Sequence, residues 1–474
     1  MTRSSSDPTL VQRLASFAAE QRYSDLPLDV RDSVPGRVLD VLGISAAALP
    51  LDTSGAVLSY VRDTGGRTQA TAIGLTDRVP AAQAALLNGT LAHSLDYDDT
   101  HLPSVLHPSA AVVPAALAAA ERSGASGRDL VVAVAVGLEV CVRIGMAGYD
   151  KEAGDSLYFA RGQHATSICG ALGGAAAAAL VTGLGADGVA DAVGVAASMA
   201  SGIIEANRTG GTVKRIHCGW AAHAAISAVE LVARGLTGPP SVLEGRFGFF
   251  QAFLDGRYDA TAVTDRLGEE WAVPGIFYKP YPANHFTHCA ADAALALRAR
   301  GVRPSDVETI HVGVAGPTVR TIGEPLAAKQ APETGYQAQF SAPYVVAAGL
   351  FGGGGLGLSL DDFTDELARD PERRALMAKV TVSGDAQCDA IYPYQFPAVV
   401  TVRLTGGEEI VEEVLTNRGG ADRPLTESEL AGKFRHNALR TFPVSAVDAV
   451  YERVQNLTEI DDAETLLAPF GRSN

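Results

Sequence analysis

Six stretches in the first 270 residues are built so heavily from alanine and leucine that they constrain the fold more than anything else in the chain. They run over 81–95, 110–122, 129–146, 167–182, 186–201 and 220–233, with glycine and proline gathered between them. Alanine and leucine are strong helix formers, and side chains this small let helix axes approach closely. A compact, mostly buried helical bundle is the expectation. With 47% hydrophobic and 19% charged residues over 474 positions, the chain can bury a sizeable core in one large or two medium domains. Only the polar ends, MTRSSSDPT and GRSN, read as disordered.

The texture changes near Trp271. The run VPGIFYKPYP, rich in proline and aromatic residues, makes a natural boundary. Beyond it a helix is expected over 290–300 and another over 340–350. Alternating β-branched segments at 308–314, 379–384 and 397–404 read as strands. Gly406 and Gly407 would turn the last of these into a hairpin with 408–415. Thr426 and Glu429 form a capping-box pattern ahead of a final helical stretch. The fold class that follows is mainly α. A large helical domain spans 1–272, a smaller α+β domain 273–422, and C-terminal helices at 423–474 pack back on the first domain.

A net charge of −16 argues against nucleic acid or an anionic membrane as a partner. It also requires that any site for an anionic substrate be locally basic. Five cysteines without a CxxC pair read as reduced thiols, not as a disulfide frame or a metal site. The N-terminus has no apolar run of the secretory kind, and runs such as 110–120, interrupted by Pro114, fall short of a membrane span. A cytoplasmic location is expected.

Polar residues interrupt the apolar pattern in four places. The densest is 88–121, with His93, Asp96, Asp98, Asp99, Thr100, His101 and His107 inside about fifteen residues. Burying such groups unpaired costs several kcal/mol, so partners or chemistry must account for them. His93 and Asp96 are spaced to share one helical face, and His107-Pro108-Ser109 would open the next helix. Caps and loop hydrogen bonds, a metal held by the acidic run, and a general acid/base site are all open readings; the last fits the whole cluster best. The second place is His164 before an Ala-rich helix, with Thr166 and Ser167 as possible caps. The helix dipole there disfavours a charged imidazole, so His164 would stay neutral and act as a base or simply cap. The third is Lys214, Arg215 and His217 ahead of a small-residue helix. The fourth places Lys279, His285 and His288 near the expected boundary. The glycines at 352, 354 and 357 fit a dinucleotide-loop pattern but follow a helix with no long strand before it, so nucleotide binding is not expected.

Taken in order, NGTLAHSLDYDDT…HPS, HATSICGALGGAA, GTVKRIHCGWAA…GLTGP and KPYPANHFTH resemble the MmgE/PrpD family over about residues 10–440, with QAQFSAPYVVA as a further match. The resemblance implies a homodimer whose helical domain carries an α+β lid. It implies an enzyme that needs neither metal nor organic cofactor. Activities of the family include 2-methylcitrate dehydration, cis-aconitate decarboxylation to itaconate and iminodisuccinate epimerisation. Carried over by motif, the catalytic residues would be His107, His164, Asp96 and Asp98. The carboxylic acid would be bound by Thr100, Lys214, His217, Lys279 and His285, in a cleft between the domains. One departure concerns the substrate: many decarboxylase- and epimerase-like members have cysteine where this chain has Asn284. The KPYP segment nevertheless resembles that branch more than the bacterial methylcitrate dehydratases.

These residue types suit the chemistry. Negative charge develops beside a carboxylate, and fixed cations in a site that excludes water stabilise it. Lys214 and Lys279 would supply the charge, and His107 and His164 titrate near neutrality and would move the proton. One acid aimed at a hydroxyl gives dehydration, one aimed at the carbon losing CO2 gives decarboxylation, and a pair flanking one carbon gives epimerisation. A decarboxylase-like or dehydratase-like lyase is the leading expectation and an epimerase the alternative. A metal-dependent all-α enzyme using the acidic run and an inactive binding protein on the same fold are the readings from other classes.

Overall fold

The computed structural model describes residues 7–471, and the polar ends expected to be disordered lie largely outside them. The chain forms two compact units, one comprising the residues up to Ile276 with those from Phe434 onward, the other Phe277–Lys433.

The first unit is helical apart from two-residue strand fragments such as Tyr149–Asp150 against Asp155–Ser156. Its principal helices are α1 (Leu28–Ala48), α2 (Ala81–Ala92), α3 (Ser109–Ser123), α4 (Gly127–Ala147), α5 (Ala165–Val181) and α6 (His217–Val232). The central one is α5, buried along almost its whole length and packed against α3, α4 and α6. Small residues make this possible. Where α2 meets α6, a methyl group on Gly89 would lie 2.8 Å from Gly219 Cα, and one on Gly219 would lie 2.2 Å from the Leu86 carbonyl. Backbone therefore rests on backbone at this crossing, and no residue larger than glycine fits.

Two sequence expectations need correction here. The first helical stretch stops at Ala92 instead of 95, with His93 as its C-cap and Asp96 in the left-handed region at φ 51°. His93 and Asp96 therefore do not share a helical face. Moreover, α4 is 21 residues long and apolar enough to cross a membrane, but 94% of its apolar window is buried inside the protein, which makes it a core helix. Its two buried charges serve that core. Glu139 accepts from Arg143 at 2.6 Å and from the Ala272 N–H at 2.7 Å, while Arg143 donates to the Asp265 and Glu270 carbonyls.

The second unit packs α7 (His288–Ala299) and α8 (Ala342–Phe351) on a four-stranded sheet. Its strands are β1 (Val307–Val314), β2 (Val380–Gly384), β3 (Ala398–Leu404) and β4 (Glu409–Val414), in the order β2-β1-β3-β4. β1 and β2 run parallel, as the long connection through α8 permits, and the other pairs are antiparallel. Ile310 faces Val380 on one side and Val402 on the other, and these β-branched side chains form the apolar layer beneath the helices. The Gly406-Gly407 turn joins β3 to β4 as read from the sequence. The capping box also forms, with the Thr426 N–H donating to Glu429 at 2.8 Å and the Glu429 N–H to the Thr426 hydroxyl at 3.2 Å. It opens α9 (Glu427–Ala438), along which the chain leaves this unit. The exit comes at 433 rather than at 422. Residues 417–429 stay tied to the second unit: Tyr278 donates to the Gly419 carbonyl, and Arg418 pairs with Glu429.

Candidate active site

Four histidines from four separate segments of the first unit stand in a row. The His93 ring lies 5.5 Å from that of His107 and 5.3 Å from that of His164, and His164 lies 5.0 Å from His217. His93 caps α2, His107 stands two residues before α3, His164 is the N-cap of α5 and His217 opens α6. Helix ends thus converge on one place. All but His107 are at most 6% exposed.

Protein acceptors fix the tautomers. His93 Nδ1 lies 2.7 Å from Asp98 Oδ2, so the N–H sits on Nδ1 and faces the carboxylate. His107 Nδ1 lies 2.7 Å from the Asp99 carbonyl oxygen, which can only accept, so its N–H is also on Nδ1 and its Nε2 is the basic nitrogen. Thr100 Oγ1 is 3.4 Å from the same Nδ1. His164 and His217 face each other through their Nδ1 atoms at 3.0 Å, an arrangement that holds one proton between two nitrogens. Burial, then the cationic forms of His93, Lys214, His217 and His107, hold His164 well below the usual imidazole range. His217 is lowered to about 4 by burial, His93 and Lys214. The neutrality expected of His164 thus arises from burial and neighbouring charge.

The three aspartates have separate duties. Asp98 holds His93. Asp96 lies 3.8 Å from Lys214 Nζ, which brings the expected cation to the same unit as the row. Asp99 pairs with Arg37 at 3.1 Å and accepts from both the backbone N–H and the hydroxyl of Ser109. Burial pushes the Asp99 carboxyl up while Arg37 and Ser109 pull it back. Arg37 also donates to the Val273 and Ile276 carbonyls at 2.9 and 3.1 Å. These bonds fix the turn that presents His107. Arg37 was not singled out from the sequence, although a lone arginine in VPGRVLDVLGIS was a signal available there. His101 does not join the row: its Nδ1 bonds Ser104 at 2.7 Å, and burial lowers it to about 4.

Thr166 and Ser167 are not caps of their helix. The Thr166 hydroxyl accepts from the His107 N–H at 3.2 Å. Ser167 Oγ lies 2.6 Å from the Ser201 carbonyl and 3.0 Å from that of His217, fastening α5 to the start of α6. Both side chains support the row by tying its members' backbones together.

In the second unit, Lys279 and His285 are buried, and the His285 ring lies 4.4 Å from that of His288, with Phe277 and Phe396 edge-on to His285. Tyr281 donates to Asp292 at 2.6 Å, and Arg423 pairs with Asp292, which holds the KPYP turn. Asn284 accepts from the Phe286 N–H at 3.1 Å and caps the short helix His285–Thr287. The departure at this position therefore has a local structural use.

Buried imidazoles beside a lysine, gathered from motifs in this order, can be compared with known proteins. The MmgE/PrpD N-terminal domain matches residues 12–261 and the MmgE/PrpD C-terminal domain residues 281–459. The chain belongs to the MmgE/PrpD family. Its relatives include the cis-aconitate decarboxylase of Homo sapiens, 31% identical over 450 residues, which are 90% of this chain and 88% of that protein. That of Mus musculus is 30% identical over 447 residues, 90% of this chain and 86% of its own. The Aspergillus terreus cis-aconitate decarboxylase is 26% identical over 488 residues, 98% of each chain. In this MmgE/PrpD chain the whole histidine row falls within the N-terminal match, whereas Lys279 lies between the two matches.

Proposed function

We propose that this chain is a lyase acting on a small di- or tricarboxylic acid through proton transfer by buried imidazoles, with loss of CO2 from a cis-aconitate-like acid as its reaction. The observation that carries the proposal is the row itself: four imidazoles, two of them with tautomers fixed by protein acceptors, and a lysine beside them, inside a protein of net charge −16. Loss of CO2 breaks a carbon–carbon bond and leaves its electron pair on carbon, next to a remaining carboxylate. A proton from an imidazolium then forms the new C–H bond. His107, with Nε2 as its exchangeable site, suits the donor, and neutral His164 suits the opposite role of base. Lys214 opposes the substrate's carboxylate charge where water is excluded. That its relatives are cis-aconitate decarboxylases supports the same reaction. Dehydration and epimerisation use the same parts with the acid aimed elsewhere.

The test follows cis-aconitate, 2-methylcitrate and iminodisuccinate by proton spectra in D2O with purified protein. The expected result is CO2 loss from the first, with one deuterium placed at carbon, and a fall of about 10²-fold or more in His107→Asn and His164→Asn. Turnover or exchange of none of the three, with both variants matching wild type, would overturn the proposal.

A further inference from the structure

His93 was read from the sequence as part of a polar cluster, and neither its spacing nor the proposed reaction assigns it a role. Its place in the structure is specific. It is 4% exposed and stands between the two histidines proposed to move protons. Its Nδ1 is anchored on Asp98, while its Nε2 is buried and makes no hydrogen bond among the described residues. The groups around it are Asp98 on its own loop, His107 ahead of α3, His164 at the start of α5 and His217 at the start of α6, with Lys214 acting on the last two. Asp99 lies beyond, committed to Arg37.

We infer that His93 is the positioning residue of the row: clamped by Asp98 between His107 and His164, it holds positive charge that keeps the His164–His217 pair neutral, while His107, 4.0 Å from the same carboxylate, stays able to carry the proton that reacts. The argument is electrostatic. An added proton on His164 or His217 would sit in a buried pair that already shares one proton across 3.0 Å. On His93 it lands on Nε2, because Nδ1 already carries the N–H that faces Asp98, and the carboxylate 2.7 Å from Nδ1 stabilises the resulting imidazolium by charge and by a strengthened Nδ1–H hydrogen bond. Once His93 is charged, a second imidazolium 5.3 Å away is opposed by like charge in a site of low dielectric. The lowering of His164 and His217, with His93 next after burial among the causes of each, agrees with this. The consequence is that His164 stays a neutral base while the donated proton is left to His107. The inference deepens the proposed function and rests on it for its catalytic meaning, but its electrostatic content stands without any substrate.

The experiment titrates the full chain labelled with 13Cε1-histidine. Ten histidines keep the spectrum assignable by single substitutions. Wild type is compared with His93→Gln, which leaves Asp98 a hydrogen-bond donor, and with Asp98→Asn. In His93→Gln the midpoint of His164 should rise by about two pH units, the scale on which a unit charge at 5.3 Å acts at an effective dielectric of about 20. In Asp98→Asn it should also rise, by less. That sign discriminates, because an aspartate acting only as a nearby anion would give a fall when removed. The acid limb of the kcat/KM profile should move in the same direction in both variants. A His164 midpoint unmoved in both, or lowered in Asp98→Asn, overturns the inference. If His93→Gln does not fold, the sign in Asp98→Asn decides alone. A wild-type protein that turns over none of the three acids defeats the proposed function and leaves the titration to judge His93 separately.

Discussion

Replacing Arg37 by leucine is the perturbation whose cost the structure defines most closely. The guanidinium is 2% exposed and donates to Asp99 and to the Val273 and Ile276 carbonyls. Leucine keeps apolar volume on α1 but leaves a carboxylate buried with only the Ser109 donors. Breaking a buried ion pair from one side costs about 3–5 kcal/mol, and the stranded carbonyls add about 1 kcal/mol each. The carboxyl has one escape, which is to take up a proton. Burial already raises Asp99, and without Arg37 nothing cationic counters it at contact distance. A group raised in the folded state contributes stability that is present at low pH and lost as pH rises through its folded value. The deficit of Arg37→Leu should therefore be smaller at pH 5.5 than at pH 8. Adding Asp99→Asn should recover part of it at pH 8. Urea midpoints at the two pH values, with the slope checked for constancy, measure this. A deficit under about 1 kcal/mol, or one independent of pH and unrelieved by the second change, would refute the assignment of Arg37 and Asp99 as a buried anchor.

Glu121 is raised to about 7, chiefly by burial, with the Thr71 N–H and Arg78 opposing. Its stabilising neutral form is lost as pH rises through that value, so Glu121→Gln should flatten the pH dependence of stability between pH 5 and 8 and gain stability at the alkaline end, read by thermal melts. Lys214→Met should lower kcat/KM for cis-aconitate by about 10²–10³-fold with the fold intact by circular dichroism, the scale for losing a donor that stabilises transition-state charge. Because the proposed steps use only side-chain protons and charge, turnover should survive exhaustive chelation. A loss restored by one added divalent ion would contradict that.

The fold class and most helices were legible because alanine-rich periodicity and glycine punctuation act locally. The strands, the Gly406-Gly407 hairpin and the Thr426 capping box were legible for the same reason. The end of α2 was not. Nothing in LAHSLDYDD marks Ala92 as the last helical residue, because the stop is set by His93 turning to Asp98 and by the left-handed backbone of Asp96, and both depend on tertiary partners. Motif resemblance nominated His107, His164 and His217, but spacing along the chain carried no information about the 3.0 Å contact between residues 164 and 217. Arg37 lies 62 positions from the aspartate it neutralises, beyond the reach of any local pattern.

The contact of Gly89 with Gly219 sets a limit on how this site can diversify. The spacing between the segments carrying His93 and His217 is gauged by main chain and by the Thr90 hydroxyl, with neither glycine left to trim. Descendants that accept a bulkier or smaller acid must therefore remodel elsewhere, in connecting stretches such as 100–106 and 201–213, while the histidine scaffold keeps its dimensions.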